Sequence, residues 1–142
     1  MTITLRPLLT VASLAVAAVV LAACGTADAG TATADAPGVV AVDADDAVSL
    51  LAERDDLVVV DVRTPEEFAE GHLAGAELLD IYDPAFRDGV DGLDRDAAYL
   101  VYCRSGNRSG QAVALMEELG FTEVYDAGAL DALAAAGAAT DR

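Results

Sequence analysis

The chain has 142 residues, room for one domain of ordinary size, and 54% of them are apolar, which is enough for a core and argues against disorder along its whole length. Twenty-five Asp and Glu stand against eight Arg and no Lys, a formal charge of -17, so no basic groove exists to hold a nucleic-acid backbone. Two cysteines, Cys24 and Cys103, allow at most one disulfide and exclude a multi-cysteine zinc site.

Residues 1–23 run from Arg6 through an apolar stretch at 8–21 into Ala22 and Ala23, the layout of a signal peptide. The stretch is shorter than the roughly 20 residues of a spanning helix. Leu21, Ala22, Ala23 and Cys24 resemble a bacterial lipobox, which implies a lipid on the Cys24 sulfur and a membrane anchor on the extracytoplasmic face. An ordinary secretory cleavage that leaves Cys24 as a free thiol is the alternative. Residues 24–38, rich in Ala, Thr, Gly and Asp, read as a flexible linker. The folded domain is expected over 39–140, with a fraying helix end from Ala134 to the C-terminus.

Within the domain, 39–42, 57–62, 76–81 and 98–103 are short apolar runs between polar residues, as in strands buried on both faces of a parallel sheet. Asp43 can cap a helix carrying Ala47, Val48 and Leu51 on one face. Thr64, Pro65, Glu66 and Glu67 are a strong helix start, with Thr64 as N-cap and Glu67 closing a capping box, and Gly71 ends that helix. Residues 111–120 form a further helix, Val124 and Tyr125 a last strand, and 130–136 a last helix. Strands alternating with helices predict an α/β fold around a central parallel sheet.

The chemistry concentrates in Cys103, Arg104, Ser105, Gly106, Asn107, Arg108 and Ser109, a polar loop between a strand and a helix start. Backbone N–H groups there lack internal partners and the helix dipole is positive, so an anion is stabilised without a metal. Gly106 allows backbone angles closed to other residues, and Arg104 and Arg108 offer guanidinium donors to sulfur oxyanions. Such surroundings lower a thiol pKa towards roughly 3.5 to 7.5, making Cys103 the candidate nucleophile. With Cys24 lipidated, Cys103 has no resolving partner, and an outward-facing thiol of that kind is open to oxidation.

The Cys103 loop, CRSGNRS, together with DVRTPEEFAEGHLAGA at 61–76, resembles a rhodanese domain, over roughly the whole folded part. The resemblance implies a three-layer α/β fold with a mostly parallel five-stranded sheet flanked by helices. It further implies that Cys103 takes a sulfane sulfur from an anionic donor such as thiosulfate and passes it to cyanide or another thiophilic acceptor, with no cofactor. The loop amides from Arg104 to Ser109 would hold the terminal sulfur, Arg104 and Arg108 would bind the donor and shape the loop, and Asp61 and Arg63 would tie neighbouring loops together. His72, the only histidine, would belong to a structural turn. Cysteine phosphatases use a loop longer by one residue, so the shorter Cys103 to Arg108 spacing favours sulfur over phosphate. A rhodanese-like module that only carries or senses sulfur is the rival reading. Where such families carry two glycines and a Trp, this chain has Ala127, Gly128, Ala129, Leu130 and Leu133, and smaller side chains are expected to pack there. The sequence names no protein partner.

Overall fold

The computed structural model describes residues 38–142. The expected signal segment, the lipid-bearing Cys24 and the linker up to residue 37 lie outside the described residues.

The elements follow in chain order: β1 (Gly38–Ala41), α1 (Ala44–Glu53), β2 (Val58–Asp61), α2 (Pro65–Glu70), β3 (His72–Leu73) and β4 (Glu77–Leu78). Then come α3 (Phe86–Asp91), β5 (Ala98–Cys103), α4 (Asn107–Glu118), β6 (Glu123–Ala129), α5 (Leu130–Ala135) and β7 (Thr140–Asp141). Asp43 caps α1, its carboxylate accepting the Asp46 N–H at 2.9 Å. The expected capping box opens α2: Thr64 Oγ1 accepts the Glu67 N–H at 3.4 Å while Glu67 Oε2 accepts the Thr64 N–H at 3.2 Å. Such reciprocal caps satisfy two orphan donors and contribute about 1 kcal/mol.

Five strands form one parallel sheet in the order β1-β6-β5-β2-β4, so the five-stranded α/β expectation holds. The pleat of the central strand β5 sorts its side chains into two cores. Tyr99, Val101 and Cys103 join Phe86 and Val90 of α3 and Ala112, Val113 and Met116 of α4. Leu100 and Tyr102 join Ala47 of α1, Leu73 and Leu133 of α5 on the other face. All six residues of β5 are buried, which accounts for the unbroken apolar run Ala98–Cys103 in the sequence. Burying each such large side chain contributes about 1.5–3 kcal/mol.

Three features depart from the sequence reading. First, the C-terminal segment is no fraying helix: α5 stops at Ala135, and Thr140–Asp141 pairs antiparallel with His72–Leu73. That pairing joins residues far apart in sequence, which local pattern does not report. Second, α3 went unread because Ala85 makes no side-chain cap and Gly89 interrupts it; Phe86 and Val90, one turn apart, hold it to the core. Third, β6 runs to Ala129, well past Tyr125, and its register with β5 shifts between Val101 and Tyr102, so that Tyr102 faces Gly128 and Cys103 faces Ala129. Leu133 packs wholly buried beside this bulge, so the Trp-less segment closes its core with aliphatic side chains.

Candidate active site

Strand β5 delivers Cys103 to its C-terminal end, and α4 starts at Asn107, four residues earlier than the helix expected from residue 111. Arg108 and Ser109 therefore belong to the first turn of α4. Gly106 stands at the helix N-cap with φ 88, a left-handed backbone that side chains rarely adopt. In that conformation its N–H points back at Cys103 Sγ, 3.1 Å away. A methyl on Gly106 would sit 3.6 Å from the Gly128 Cα, so the β6 bulge lies directly against the loop. Ser109 Oγ lies 3.8 Å from the sulfur and donates to the Gly106 carbonyl at 3.1 Å, bracing the loop from inside.

The thiol is not outward-facing: Cys103 is 0% exposed. The loop closes over it because Gly106 turns its amide inward. Burial pushes the thiol pKa up, but the backbone N–H groups of Ser109, Ser105 and Gly106 and the Ser109 hydroxyl outweigh it, and the net direction is down. The dominant stabilising donors are main-chain amides rather than the arginines.

The two loop arginines differ. Arg108 makes a bidentate pair with Glu67, Nη1 to Oε2 at 2.6 Å and Nη2 to Oε1 at 2.8 Å, with its guanidinium 5.7 Å from the Tyr82 ring centre. Glu67 is held at about 2, well below the usual carboxylate value, chiefly by Arg108, against the opposing effect of burial and with help from the Thr64 N–H. Arg108 thus shapes the loop by fastening it to α2. Arg104 is exposed and lines a polar cavity of about 460 Å³ with Arg63, Glu67, Glu70, Leu130 and Asp131. Ser105 and Asn107 are exposed, and the Asn107 side chain accepts from Gln111 Nε2 at 2.8 Å along α4.

Asp61 and Arg63 lie on the other face of β5 from the thiol. Arg63 is 5% exposed and its guanidinium grips the fully buried Asp61 through Nε at 2.9 Å and Nη2 at 2.6 Å. Arg63 Nη2 also donates to the Gly71 carbonyl at 2.6 Å, tying β2 to the end of α2. Tyr102, which the sequence reading passed over, completes this knot: its hydroxyl donates to Asp61 at 2.7 Å and accepts the Leu73 N–H at 3.0 Å. Burial, reinforced by the Asp61 carboxylate, drives its phenol above the ordinary range despite the Leu73 N–H. The alternation of β5 was the signal available, since it puts Tyr102 opposite Cys103. His72 stacks on Phe68 with ring centres 3.7 Å apart, and its Nδ1 faces the Phe68 carbonyl at 3.0 Å. These contacts make it part of the α2–β3 turn.

No group of His, Cys, Asp and Glu able to hold a metal ion occurs among the described residues, and none of their helices is long and apolar enough to cross a membrane.

A buried cysteine at the end of the central parallel strand, capped by the amides of a short loop that opens a helix, defines an α/β cysteine-loop protein. The family model of the rhodanese-like domain matches residues 43–131, and the chain belongs to that family. It is 43% identical over 75 residues to the thiosulfate sulfurtransferase GlpE of Pseudomonas putida, covering 53% of this chain and 66% of that protein. Its identity to the thiosulfate sulfurtransferase PspE of Escherichia coli is 35% over 75 residues, covering 53% of this chain and 72% of that protein. Among solved structures, the rhodanese-like domain of an Anabaena protein superposes with a TM-score of 0.62 at 29% identity, over 70% of this chain and 76% of that one. The chain therefore spans slightly less than two thirds of the Pseudomonas relative.

Proposed function

We propose that the protein is a sulfurtransferase working through a Cys103 persulfide, with thiosulfate as a competent donor and cyanide or a thiol as acceptor. One observation carries the reading: the Cys103 sulfur is buried under the loop with the Gly106 N–H aimed at it from 3.1 Å and its pKa driven down by main-chain donors. The Cys103 thiolate attacks the outer sulfur of thiosulfate. The S–S bond of the donor breaks, and sulfite leaves with the electron pair. The terminal sulfur of the persulfide is an anion, and the N–H groups of Ser105, Gly106 and Ser109 replace the water it would otherwise need. Cyanide then takes that sulfur as thiocyanate and regenerates the thiolate. The names of the Pseudomonas and Escherichia relatives support the same donor.

The full chain in detergent, given thiosulfate and cyanide, is expected to release thiocyanate catalytically, and Cys103→Ser to lose at least about a thousandfold in rate. Equal turnover in that variant sinks the reading. A single stoichiometric sulfur on Cys103 without turnover to any acceptor identifies a carrier instead.

The sequence around Cys24 supports a second part of the proposal, a lipid anchor holding the domain on the extracytoplasmic face of the cell membrane. In a bacterial host, the mature chain is expected in the membrane fraction with acyl mass on Cys24, and Cys24→Ala to release it. Recovery of unmodified chain from the soluble fraction contradicts the anchor.

A further inference from the structure

The polar cavity beside the Cys103 loop has not been given a ligand. Its volume of about 460 Å³ falls within the roughly 300–1,000 Å³ of small-molecule sites. One end of the loop borders it directly, and the other reaches it through an ion-pair partner. Arg104 follows Cys103 directly, and Glu67 grips Arg108. On a third side, Leu130 follows Ala129, the residue that faces Cys103 across β5 and β6. Two of its charges are already spoken for: Arg63 is paired with Asp61 and the Gly71 carbonyl, and Glu67 with Arg108. Among the described residues, Arg104, Glu70 and Asp131 have no ion-pair partner, so the cavity offers one open cation and two open anions.

One open cation beside two open anions suits a ligand with one carboxylate and one ammonium. We propose that the cavity lined by Arg104, Glu70 and Asp131 is the acceptor site for a small zwitterionic thiol, one bearing an α-carboxylate and an α-ammonium. The inference rests on the sulfurtransferase reading above and adds the class of acceptor to it. Arg104 takes the carboxylate, which it can hold bidentately. Glu70 and Asp131 take the ammonium. The thiol releases its proton to water, and its thiolate attacks the terminal sulfur of the Cys103 persulfide. A new S–S bond forms on the acceptor, the Cys103 Sγ–S bond breaks with its electron pair left on Sγ, and the products are the acceptor persulfide and the Cys103 thiolate. Total charge is conserved, and no oxidant or reductant is consumed.

Four thiols separate the contributions: cysteine, mercaptopropionate (cysteine without its ammonium), cysteamine (cysteine without its carboxylate) and ethanethiol. With the full chain and thiosulfate, sulfite release reads every acceptor alike, and rates are compared per unit of thiolate because nucleophilicity depends on thiol ionisation. Cysteine is expected to exceed each of the other three in kcat/KM by about tenfold or more. Arg104→Ala is expected to erase most of the advantage of cysteine over cysteamine, and Asp131→Asn, with Glu70→Gln, most of its advantage over mercaptopropionate. A series flat within about twofold, or variants that depress all four thiols equally, overturns the assignment. Thiocyanate formed from cyanide alongside a flat thiol series leaves the sulfurtransferase standing and removes only this inference. Absence of thiocyanate removes both.

Discussion

Tyr102 and Cys103 are neighbours on one strand, both wholly buried, and face opposite sides of the sheet, yet their surroundings handle charge in opposite ways. On the Tyr102 side, the Asp61 carboxylate is matched by the Arg63 guanidinium, the Tyr102 hydroxyl and the Arg63 N–H, so every charge is closed by a side-chain or main-chain partner. On the Cys103 side Arg108 is already bound to Glu67, and the donors that reach the sulfur are amide dipoles and the Ser109 hydroxyl rather than a guanidinium. A closed ion pair gives a rigid joint with nothing left to offer a ligand. Amide dipoles without a counter-charge favour an anion while leaving it free to react.

The largest way to break this contrast is to open the knot. Asp61→Ala strands the Arg63 charge and the Tyr102 hydroxyl in the interior, and a loss of about 3–5 kcal/mol is expected in urea unfolding. The surviving folded molecules are expected to keep sulfur transfer to cyanide within about threefold, because the knot and the thiol occupy opposite faces and cyanide does not draw on the charges of the cavity that Arg63 lines. A collapse of activity at unchanged stability would show that the two sides are one device.

A smaller effect is expected at the loop. Gly106→Ala meets no hard contact, since its methyl would lie 3.6 Å from the Gly128 Cα, so the cost is that of a left-handed residue, about 1–2 kcal/mol. The more telling readout is the thiol: any shift of the Gly106 amide away from the sulfur raises the Cys103 pKa and slows its alkylation near neutral pH. Alkylation at the original rate would remove that amide from the cradle.

The smallest effect concerns the pair that shapes the loop. The Glu67 carboxyl is lowered in the fold from its ordinary 4.5 to about 2. It therefore stabilises the protein fully above its unfolded value, and that contribution drains away as the pH falls from about 4.5 through about 2. Glu67→Gln is expected to lower stability at neutral pH by about 1 kcal/mol, a partly exposed pair being screened by solvent, and to flatten the decline in that acid window. An unchanged acid slope would mean that another carboxylate carries it.

Much of the scaffold was legible because it is local. Asp43, the Thr64 to Glu67 box and the run Ala98–Cys103 each satisfy their own backbone or bury their own face. The loop was legible as a motif, since Cys103, Gly106 and Arg108 stand at fixed spacing in the chain. What stayed hidden depends on distance along the chain. The sequence shows Glu67 as a cap but not as the partner of Arg108, 41 residues later. Nor does it show Tyr102 reaching Asp61, or Thr140–Asp141 returning to His72–Leu73. The burial of Cys103 was missed for a related reason: polar loop residues suggest an open rim, whereas the inward turn of Gly106 closes it.

The state of the Cys103 sulfur before any substrate arrives decides whether amide dipoles do what is assigned to them. Thiolate absorbance of the full chain, titrated against pH and corrected by subtracting Cys103→Ser, isolates that one group. Half-ionisation below the ordinary thiol value of 9.0 is expected, and a midpoint at or above 9.0 would mean that burial has won over the loop amides and would contradict the cradle.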